Sequence, residues 1–281
     1  MDKVSAKGPS RPDQRVSFKH KLISYRGCKL HADFVSVMPE VEELECEHND
    51  MFLYSFPKSG TTWTGKIIEL IKHDGSKEKL AASLIRGAEY GGRPTTLFKM
   101  IEARFGNTIA LNFIRATPHP RYLWSHLPRN LLPQSAIEKK CKIVYVYRHV
   151  KDVMVSYYYF HASDPSVLID NLGIFEDFAE RFMSNQVANT PYFANLHSYW
   201  SRRHEPNIFL LSYEHLEKDH AGIIRKLATF LGKDLTEEQV GLVRYQTSFS
   251  EMKKDAPNDQ WLLKDESGKN CWQEWINSLN I

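Results

Sequence analysis

Apolar runs and amphipathic stretches alternate along the middle of the chain. Residues 52–56 read FLYSF and stop at Pro57, which cannot donate a hydrogen bond to a neighbouring strand, so this run predicts a buried strand. Beyond Gly60, apolar residues recur at the helical spacing of positions 63, 67, 68, 70 and 71. The segment therefore predicts a strand, a tight turn and an amphipathic helix.

The same order recurs in the middle of the chain. Residues 142–148 read KIVYVYR and predict a second strand, and residues 149–160 predict the helix that follows it. One face of this predicted helix is apolar and carries Val150, Val153, Met154 and Tyr157.

A third unit of this kind lies nearer the C-terminus. Residues 207–213 predict a strand, and residues 221–231 predict a helix that Gly232 can terminate. Residues 236–239 form a capping-box signature for a further helix that reaches about Tyr245. Because strands and helices alternate, we expect an α/β fold: a central parallel sheet flanked by helices, with ligands at the carboxyl ends of the strands.

Composition and charge fit one large α/β domain. The 281 residues are 42% hydrophobic and 25% charged, an ordinary balance for a globular protein. A net charge of +3 is too small to indicate a nucleic-acid partner. We expect a disordered segment at residues 1–15 and one domain at residues 16–281, without an internal boundary.

The N-terminal region and the cysteines indicate a cytoplasmic protein. Charged residues stand in the first 18 positions where a signal peptide needs an apolar run, and no run of about twenty apolar residues follows. The sequence therefore predicts a soluble, intracellular protein without a membrane partner. The cysteines form no C-x-x-C pair and are predicted to be reduced thiols; they are Cys28, Cys46, Cys141 and Cys271.

The turn between the first strand and its helix has the features of an anion site. Gly60 lets the backbone approach a ligand, and the first N–H groups of the helix, the helix dipole and the Lys58 ammonium all favour a negative charge there. An ordinary strand-to-helix turn with a surface lysine is the alternative. Lys58 precedes the glycine, whereas the lysine of a Walker A loop follows it, so the order disfavours a metal-dependent P-loop kinase.

Residues 56–63, FPKSGTTW, resemble the 5′-phosphosulfate-binding loop of the cytosolic sulfotransferases. These enzymes use 3′-phosphoadenosine 5′-phosphosulfate (PAPS) as the sulfuryl donor. The resemblance implies that the loop, P-loop-like in form, binds the phosphosulfate group of PAPS. The residues so assigned are Lys58, Ser59, Gly60, Thr61, Thr62 and Trp63.

The second strand and its helix resemble the segment that binds the 3′-phosphate in this family. The pattern KIVYVYR-x-x-KDV-x-VSYY maps Arg148 and Ser156 onto the two phosphate ligands. Taken alone, Arg148 reads as a surface or ion-paired arginine. With the resemblance, its planar and permanently charged guanidinium suits a bidentate contact to phosphate. His149 stands where the family usually has Asn.

The adenine end of the site is implied by two further matches. Tyr213, in LLSYEHL, matches the tyrosine that hydrogen-bonds the base. The TSF segment with SEMKK after it matches the part that contacts and stacks on the base, while Trp63 is expected on the other side. The residues assigned from this segment are Thr247, Ser248, Phe249 and Met252.

His126 is the predicted general base. Any one of the 12 histidines is more often structural, but SHLP followed by LLPQ resembles the family segment whose histidine takes the proton of the acceptor. An imidazole is strong enough for this and largely unprotonated at neutral pH.

The resemblance implies transfer of a sulfuryl group from PAPS to a hydroxyl or amine of a small, aromatic acceptor, with 3′,5′-adenosine bisphosphate (PAP) as product. His126, Lys58 and Ser156 are the predicted catalytic residues, and Ser156 is expected to position Lys58. No metal is expected, because Lys58 and the loop N–H groups can neutralise the leaving phosphate. An apolar acceptor pocket is suggested by the 12% aromatic content, with Phe98, Phe105 and residues 157–160 near the motifs.

Two departures from the family pattern leave a second function open. Trp124 stands where the family has a lysine that assists the transferring group. Residues 257–281 are atypical, because the family has a phosphate-gripping segment and a dimerisation motif there, so we expect a monomer. The alternative function is a catalytically weakened PAPS- or PAP-binding protein, or a non-productive isoform from truncation or splicing.

Overall fold

The computed structural model describes residues 21–79, 98–99, 111, 114–115, 117–163 and 173–255. The predicted disordered segment 1–15 and the atypical segment 257–281 lie outside the described residues, as does Phe105 of the predicted acceptor pocket. In chain order the strands are β1 (Leu22–Tyr25), β2 (Cys28–His31), β3 (Met51–Ser55), β4 (Phe98–Lys99), β5 (Tyr122–Ser125), β6 (Lys142–Tyr147) and β7 (Ile208–Ser212).

The helices are α1 (Ala32–Val35), α2 (Met38–Glu42), α3 (Thr61–Lys72), α4 (Gln134–Glu138), α5 (Val150–Ser163), α6 (Phe175–Met183), α7 (Tyr192–Trp200), α8 (Tyr213–Lys218), α9 (His220–Leu231), α10 (Glu237–Gln246) and α11 (Phe249–Asp255). Among the described residues, β1 and β2 form an antiparallel hairpin, and the other strands form one sheet in the order β4-β5-β3-β6-β7.

The sheet is parallel throughout its described strands, as the alternation of strands and helices predicts. β3 lies at its centre, where Met51 pairs with Tyr122 of β5 on one side and with Lys142 of β6 on the other. All five residues of β3 are buried, because helices cover both faces of the sheet. The carboxyl ends of β3, β5, β6 and β7 therefore meet along one edge.

Two apolar clusters fill the two sides of the sheet. Phe52 and Tyr54 point to one side, where they pack with Tyr145 and Tyr199. Residues 51 and 53 point to the other side and pack with α3, α9 and α10. This division follows from the alternation of side chains along a strand.

The predicted helices form close to the expected positions. α9 ends at Gly232, whose φ of 77° is left-handed, and α10 begins at a complete capping box formed by Thr236 and Gln239. The prediction was wrong at Tyr213, which was expected to end the strand of residues 207–213. β7 ends at Ser212, and Tyr213 begins α8. The side chain of Ser212 caps that helix by accepting a hydrogen bond from the backbone N–H of His215.

Within the described part of the chain, no helix is long and apolar enough to cross a membrane. Cys28, Cys46 and Cys141 are buried and form no disulfide, as predicted, and Cys271 lies outside the described residues. Burial raises the pKa of the Cys28 and Cys141 thiols to about 12, so both stay protonated at neutral pH.

Candidate active site

The turn that follows β3 depends on a glycine. Gly60 has a φ of 106°, and a Cβ atom at this position would lie 2.8 Å from Cδ2 of Tyr213. Lys58 also has a positive φ, 68°, which is strained for a residue with a side chain. The turn therefore brings the backbone against the Tyr213 ring in a conformation that few other sequences allow.

The turn before α3 and the first turn of the helix carry polar groups that make no hydrogen bond within the described residues. Gly60 occupies the N-cap and has no side chain to cap the first N–H groups of the helix. The hydroxyls of Ser59 and Thr64 are buried, and neither makes a hydrogen bond within the described part of the chain. Since buried polar groups are nearly always paired, this turn fits an anion that would accept hydrogen bonds from it.

Lys58 reaches from the turn to α5. Its Nζ lies 4.3 Å from the centre of the Phe160 ring, within the range of a cation–π contact. Ser156 lies one helical turn before Phe160 on the same face of α5. Its hydroxyl is buried and makes no hydrogen bond among the described residues, so the positioning contact that we expect with Lys58 is not formed in this structure.

Arg148, at the end of β6, lies over the aromatic ring of Tyr213, with its Cζ 4.3 Å from the ring centre. Its Nε is buried and makes no hydrogen bond within the described ranges, while Asp152 is 4.0 Å away. Arg148 and the turn of Gly60 thus contact the same ring, which joins the ends of three parallel strands.

His149 helps to hold the end of β6 through its backbone. Its N–H donates to Oε1 of Glu214 at 2.7 Å, and the hydroxyl of Ser212 donates to Oε2 at 2.6 Å. Burial alone would raise the pKa of Glu214, but these two hydrogen bonds and the charge of Arg148 outweigh it and lower the pKa. The contact uses the main chain, so it does not depend on which side chain follows Arg148.

Trp63 connects α3 to the junction between α10 and α11. Its Nε1 donates to the carbonyl oxygen of Thr247 at 2.8 Å, and its ring meets that of Tyr213 edge-on at 5.5 Å. Phe249, two residues beyond Thr247, is 62% exposed and presents a face to solvent. The Trp63–Tyr213 pair and the exposed ring of Phe249 offer aromatic faces that suit a flat, polar-edged ligand.

Two other residues of the predicted adenine segment lie close by on the same junction. The hydroxyl of Ser248 is 3.2 Å from that of Ser250, and Met252 is half-buried on α11. Both residues are placed near Thr247 by their position in the chain.

His126 follows β5 and faces the same edge of the sheet. Its Nδ1 lies 2.9 Å from the carbonyl oxygen of Ser55, so Nδ1 carries the proton of the neutral ring and the lone pair is on Nε2. The hydroxyl of Ser55 hydrogen-bonds that of Thr61 at the start of α3. The candidate base is therefore tied to the strand and helix that form the anion-binding turn.

The residues that fix the backbone of His126 come from α7, and sequence reasoning missed them. The side-chain amide of Asn195 donates to the His126 carbonyl at 2.9 Å and accepts from the hydroxyl of Tyr145 at 2.8 Å. The hydroxyl of Tyr199 donates to the carbonyl of Leu127 at 2.8 Å. No local pattern points to these contacts, because 50 to 72 residues separate the partners in the chain.

Of the two departures that leave a second function open, Trp124 lies within the described residues. It pairs in register with Leu53, and its half-buried ring packs with the apolar cluster on the α3 side of the sheet. Its Nε1 is buried and makes no hydrogen bond in the described part of the molecule. No cluster of three or more metal-binding side chains occurs among the described residues.

Comparison with known proteins places the chain among sulfotransferases. The family model of the sulfotransferase domain matches residues 48–277. Sulfotransferase 1 family member D1 of Mus musculus is 35% identical over 250 residues, which cover 89% of this chain and 81% of that protein. Sulfotransferase 1E1 of Homo sapiens is 32% identical over 258 residues, which cover 90% of this chain and 83% of that protein.

Two solved structures share the fold. Mouse sulfotransferase SULT7A1, complexed with PAP, has a TM-score of 0.68 at 24% identity and covers 84% of this chain and 76% of its own. Retinol dehydratase, in a complex with retinol and PAP, has a TM-score of 0.69 at 23% identity and covers 93% of this chain and 90% of its own. At these identities the similarity shows the α/β architecture and nothing finer.

Proposed function

We propose that this chain, which belongs to the sulfotransferase family, transfers a sulfuryl group from PAPS to a hydroxyl or amine of a small acceptor and releases PAP. The observation that carries the proposal is the pairing of His126 with the anion-binding turn. The base hydrogen-bonds the Ser55 carbonyl, and the Ser55 hydroxyl hydrogen-bonds Thr61 in the first turn of α3.

The residues present fit the donor. Of the buried polar atoms that make no hydrogen bond within the described residues, four lie around this edge of the sheet: on the turn, on α3, directly after β6 and in the middle of α5. They belong to Ser59, Thr64, Arg148 and Ser156. Such atoms are expected where an anionic ligand with many acceptor oxygens binds. We assign the phosphosulfate to residues 58–63 and the 3′-phosphate to Arg148 and Ser156. The adenine base is assigned to the region of Trp63, Tyr213 and residues 247–252.

PAPS, when bound, supplies the sulfuryl group. His126 would accept the proton of the acceptor on Nε2, because the Ser55 carbonyl holds the other ring proton on Nδ1. Lys58 and the N–H groups at the start of α3 would stabilise the negative charge that develops on the leaving phosphate. Ser55 hydrogen-bonds both His126 and Thr61, and these bonds would hold the general base and the anion-binding turn in fixed relative positions. An in-line displacement requires such fixed positions.

The aromatic nature of the acceptor is supported by the side chains beside Lys58. Phe160 belongs to a cluster with Phe56 and Tyr157, whose rings meet edge-on at 6.0 Å. Phe160 is a partly exposed member of this cluster and lies beside Lys58, and an aromatic face next to the reacting groups suits a flat acceptor such as a phenol. The monomeric state stays a prediction, which light scattering of the purified protein would check.

A two-part measurement with the His126→Ala variant tests the proposed function. Calorimetry would measure the affinity for PAP, and a sulfation assay with PAPS and 2-naphthol in the presence of EDTA would measure turnover. We expect kcat to fall roughly 10²- to 10⁴-fold in the variant. The PAP affinity should stay within about threefold of wild type, because His126 is proposed to contact the acceptor and not the nucleotide.

His204→Ala is the matched control, because His204 is exposed on the turn after α7. It should keep full turnover. Turnover of His126→Ala at the wild-type rate would contradict the assignment of the base, and a wild-type protein that binds no PAP would contradict the proposed function itself.

The second candidate is a PAPS- or PAP-binding protein with weakened catalysis. Trp124 favours it, since an indole packed in an apolar cluster carries no charge for the transferring group. Tight PAP binding by wild type, without turnover above that of His126→Ala, would support this candidate over the enzyme.

A further inference from the structure

His220 begins α9 and lies beside the adenine-binding wall, the name used below for Trp63, Thr247 and Phe249. No motif in the sequence singles it out. Its ring meets that of Trp63 edge-on at 5.2 Å, on α3, and its Nε2 lies 2.9 Å from the hydroxyl oxygen of Thr247, at the end of α10. Three elements that are distant in the chain therefore meet at this imidazole.

The direction of the hydrogen bond follows from the other contacts of Thr247. The hydroxyl of Thr247 donates its one proton to the carbonyl oxygen of Val243 at 2.7 Å. His220 must then be the donor, through a proton on Nε2. Thr247 is fully buried, so these contacts are not shared with solvent.

Thr247 also receives a second aromatic N–H. The Nε1 of Trp63 donates to its carbonyl oxygen at 2.8 Å, so the indole and the imidazole both bind the same residue. The indole is further bracketed by Tyr213 at 5.5 Å and His220 at 5.2 Å. The orientation of the Trp63 ring and the path of the chain into Phe249 are thus set together.

We infer that His220 is a positioning residue of the nucleotide site: its Nε2–H holds Thr247, and through it Trp63 and Phe249, in the arrangement that receives the adenine base. The inference rests on the proposed function, because it assumes that the base lies against this wall. His220 itself has no predicted contact with PAPS or the acceptor, so its effect should be confined to nucleotide affinity.

The charge state of the ring agrees with this role. Burial, together with the nearby charge of Arg244 on α10, lowers the pKa of His220 to about 4. The ring is therefore neutral at pH 7, and the Nε2–H tautomer assigned above can persist there.

Three substitutions separate the hydrogen bond from the ring. His220→Ala removes both, His220→Phe keeps an edge-on aromatic ring without a donor, and His220→Gln keeps an N–H of similar reach without the ring. His215→Ala, on the neighbouring helix α8 with an exposed side chain, is the control. Calorimetry with PAP would be combined with steady-state kinetics against PAPS and 2-naphthol, and each variant would first be checked by thermal melting.

We expect the Kd for PAP and the KM for PAPS to rise on the order of 10-fold in His220→Ala and His220→Phe, the range for one lost hydrogen bond, and to stay within about threefold of wild type in His220→Gln. The kcat at saturating PAPS and the KM for 2-naphthol should not change, and His215→Ala should match wild type.

Wild-type PAP affinity in His220→Phe, or equal losses in His220→Gln and His220→Ala, would overturn the inference while leaving the proposed function intact. A parallel fall in kcat with a lowered melting temperature would also overturn it, because the residue would then be structural only. A wild-type protein that binds no PAP would overturn the proposed function and the inference with it.

Discussion

Trp124 places an indole at the edge of the sheet where the family resemblance expects a lysine. The ring lies two residues before His126 and packs against the cluster that contains Leu53 and Trp63, and its N–H makes no hydrogen bond within the described residues. An indole N–H is a weaker partner for a developing negative charge than an ammonium, because it carries no net charge.

Replacing Trp124 with lysine should therefore raise the rate. The lysine stem can cover part of the apolar surface that the indole leaves while its ammonium reaches the edge of the sheet. We expect kcat for sulfation of 2-naphthol to rise roughly 10²-fold in Trp124→Lys, the range for one electrostatic contact, with some loss of thermal stability. Trp200→Lys, at an exposed position of α7, controls for added charge, and equal rates in both variants would refute this role of position 124.

Helix α7 acts as a clamp on the segment that carries the base. Asn195 and Tyr199 lie one helical turn apart and bind the carbonyls of His126 and Leu127. The hydroxyl of Ser198, between them, accepts from the N–H of Arg129. Residues 126–128, between β5 and the next short helical turn, belong to no strand or helix. The hydrogen bonds from α7 therefore set where the imidazole lies.

Asn195→Ala should lower both stability and turnover. The change removes the two hydrogen bonds that the Asn195 amide makes with the His126 carbonyl and the Tyr145 hydroxyl, and a lost partner costs about 1–3 kcal/mol for a buried group. We expect a lower melting temperature, a kcat reduced about 10-fold by the less fixed base, and unchanged PAP affinity. Asn207→Ala is the control: it removes the hydrogen bond that the Asn207 side-chain amide donates to the Cys141 carbonyl, and it should lower the melting temperature alone. A normal kcat in Asn195→Ala would rule out the clamp.

The elements that the sequence predicts well are those whose signal is local. β3 with α3, and β6 with α5, are each defined by an apolar run, a turn and a helical stripe within about twenty residues. β5 was not predicted from the sequence, because it has only four residues, YLWS, of which two are half-buried. The clamp by Asn195 and the wall at His220 depend on contacts between distant segments, which no periodicity encodes.

At the scale of the whole molecule, a buried ion pair joins the amino ends of β3 and β5. Asp50 and Arg121 are 0% and 2% exposed, and Nη2 of Arg121 lies 3.0 Å from Oδ2 of Asp50. The Arg121 N–H donates to Oδ1 at 2.6 Å, and His119 adds a contact at 2.8 Å. Asp50 directly precedes β3 and Arg121 directly precedes β5. The turn follows the other end of β3 and His126 follows the other end of β5, so the ion pair fixes the relative register of the two strands that carry the site.

This network makes stability depend on pH. Burial alone would raise the pKa of Asp50, but the hydrogen bonds from Arg121, Glu47 and His119 outweigh it and lower the pKa. A carboxyl group with a lowered pKa stabilises the folded state above its unfolded pKa of about 3.9, and this contribution is lost as the pH falls through the folded value. His220 acts in the same direction at higher pH, since its pKa of about 4 lies below the unfolded 6.5, so stability declines from about pH 6.5 downward.

Asp50→Asn should destabilise the whole domain and flatten its response to acid. Removing the carboxylate leaves the Arg121 charge buried without its counter-ion, which costs about 3–5 kcal/mol and corresponds to a melting temperature lower by roughly 10 °C in a protein of this size. Asp74→Asn, which removes a partly exposed carboxylate paired with Lys79 and Lys233, should shift it by only a few degrees. Melting curves between pH 7 and pH 3 would show a shallower decline below about pH 4 for Asp50→Asn than for Asp74→Asn. Equal melting temperatures and equal slopes would mean that the buried pair adds nothing to the stability of the domain.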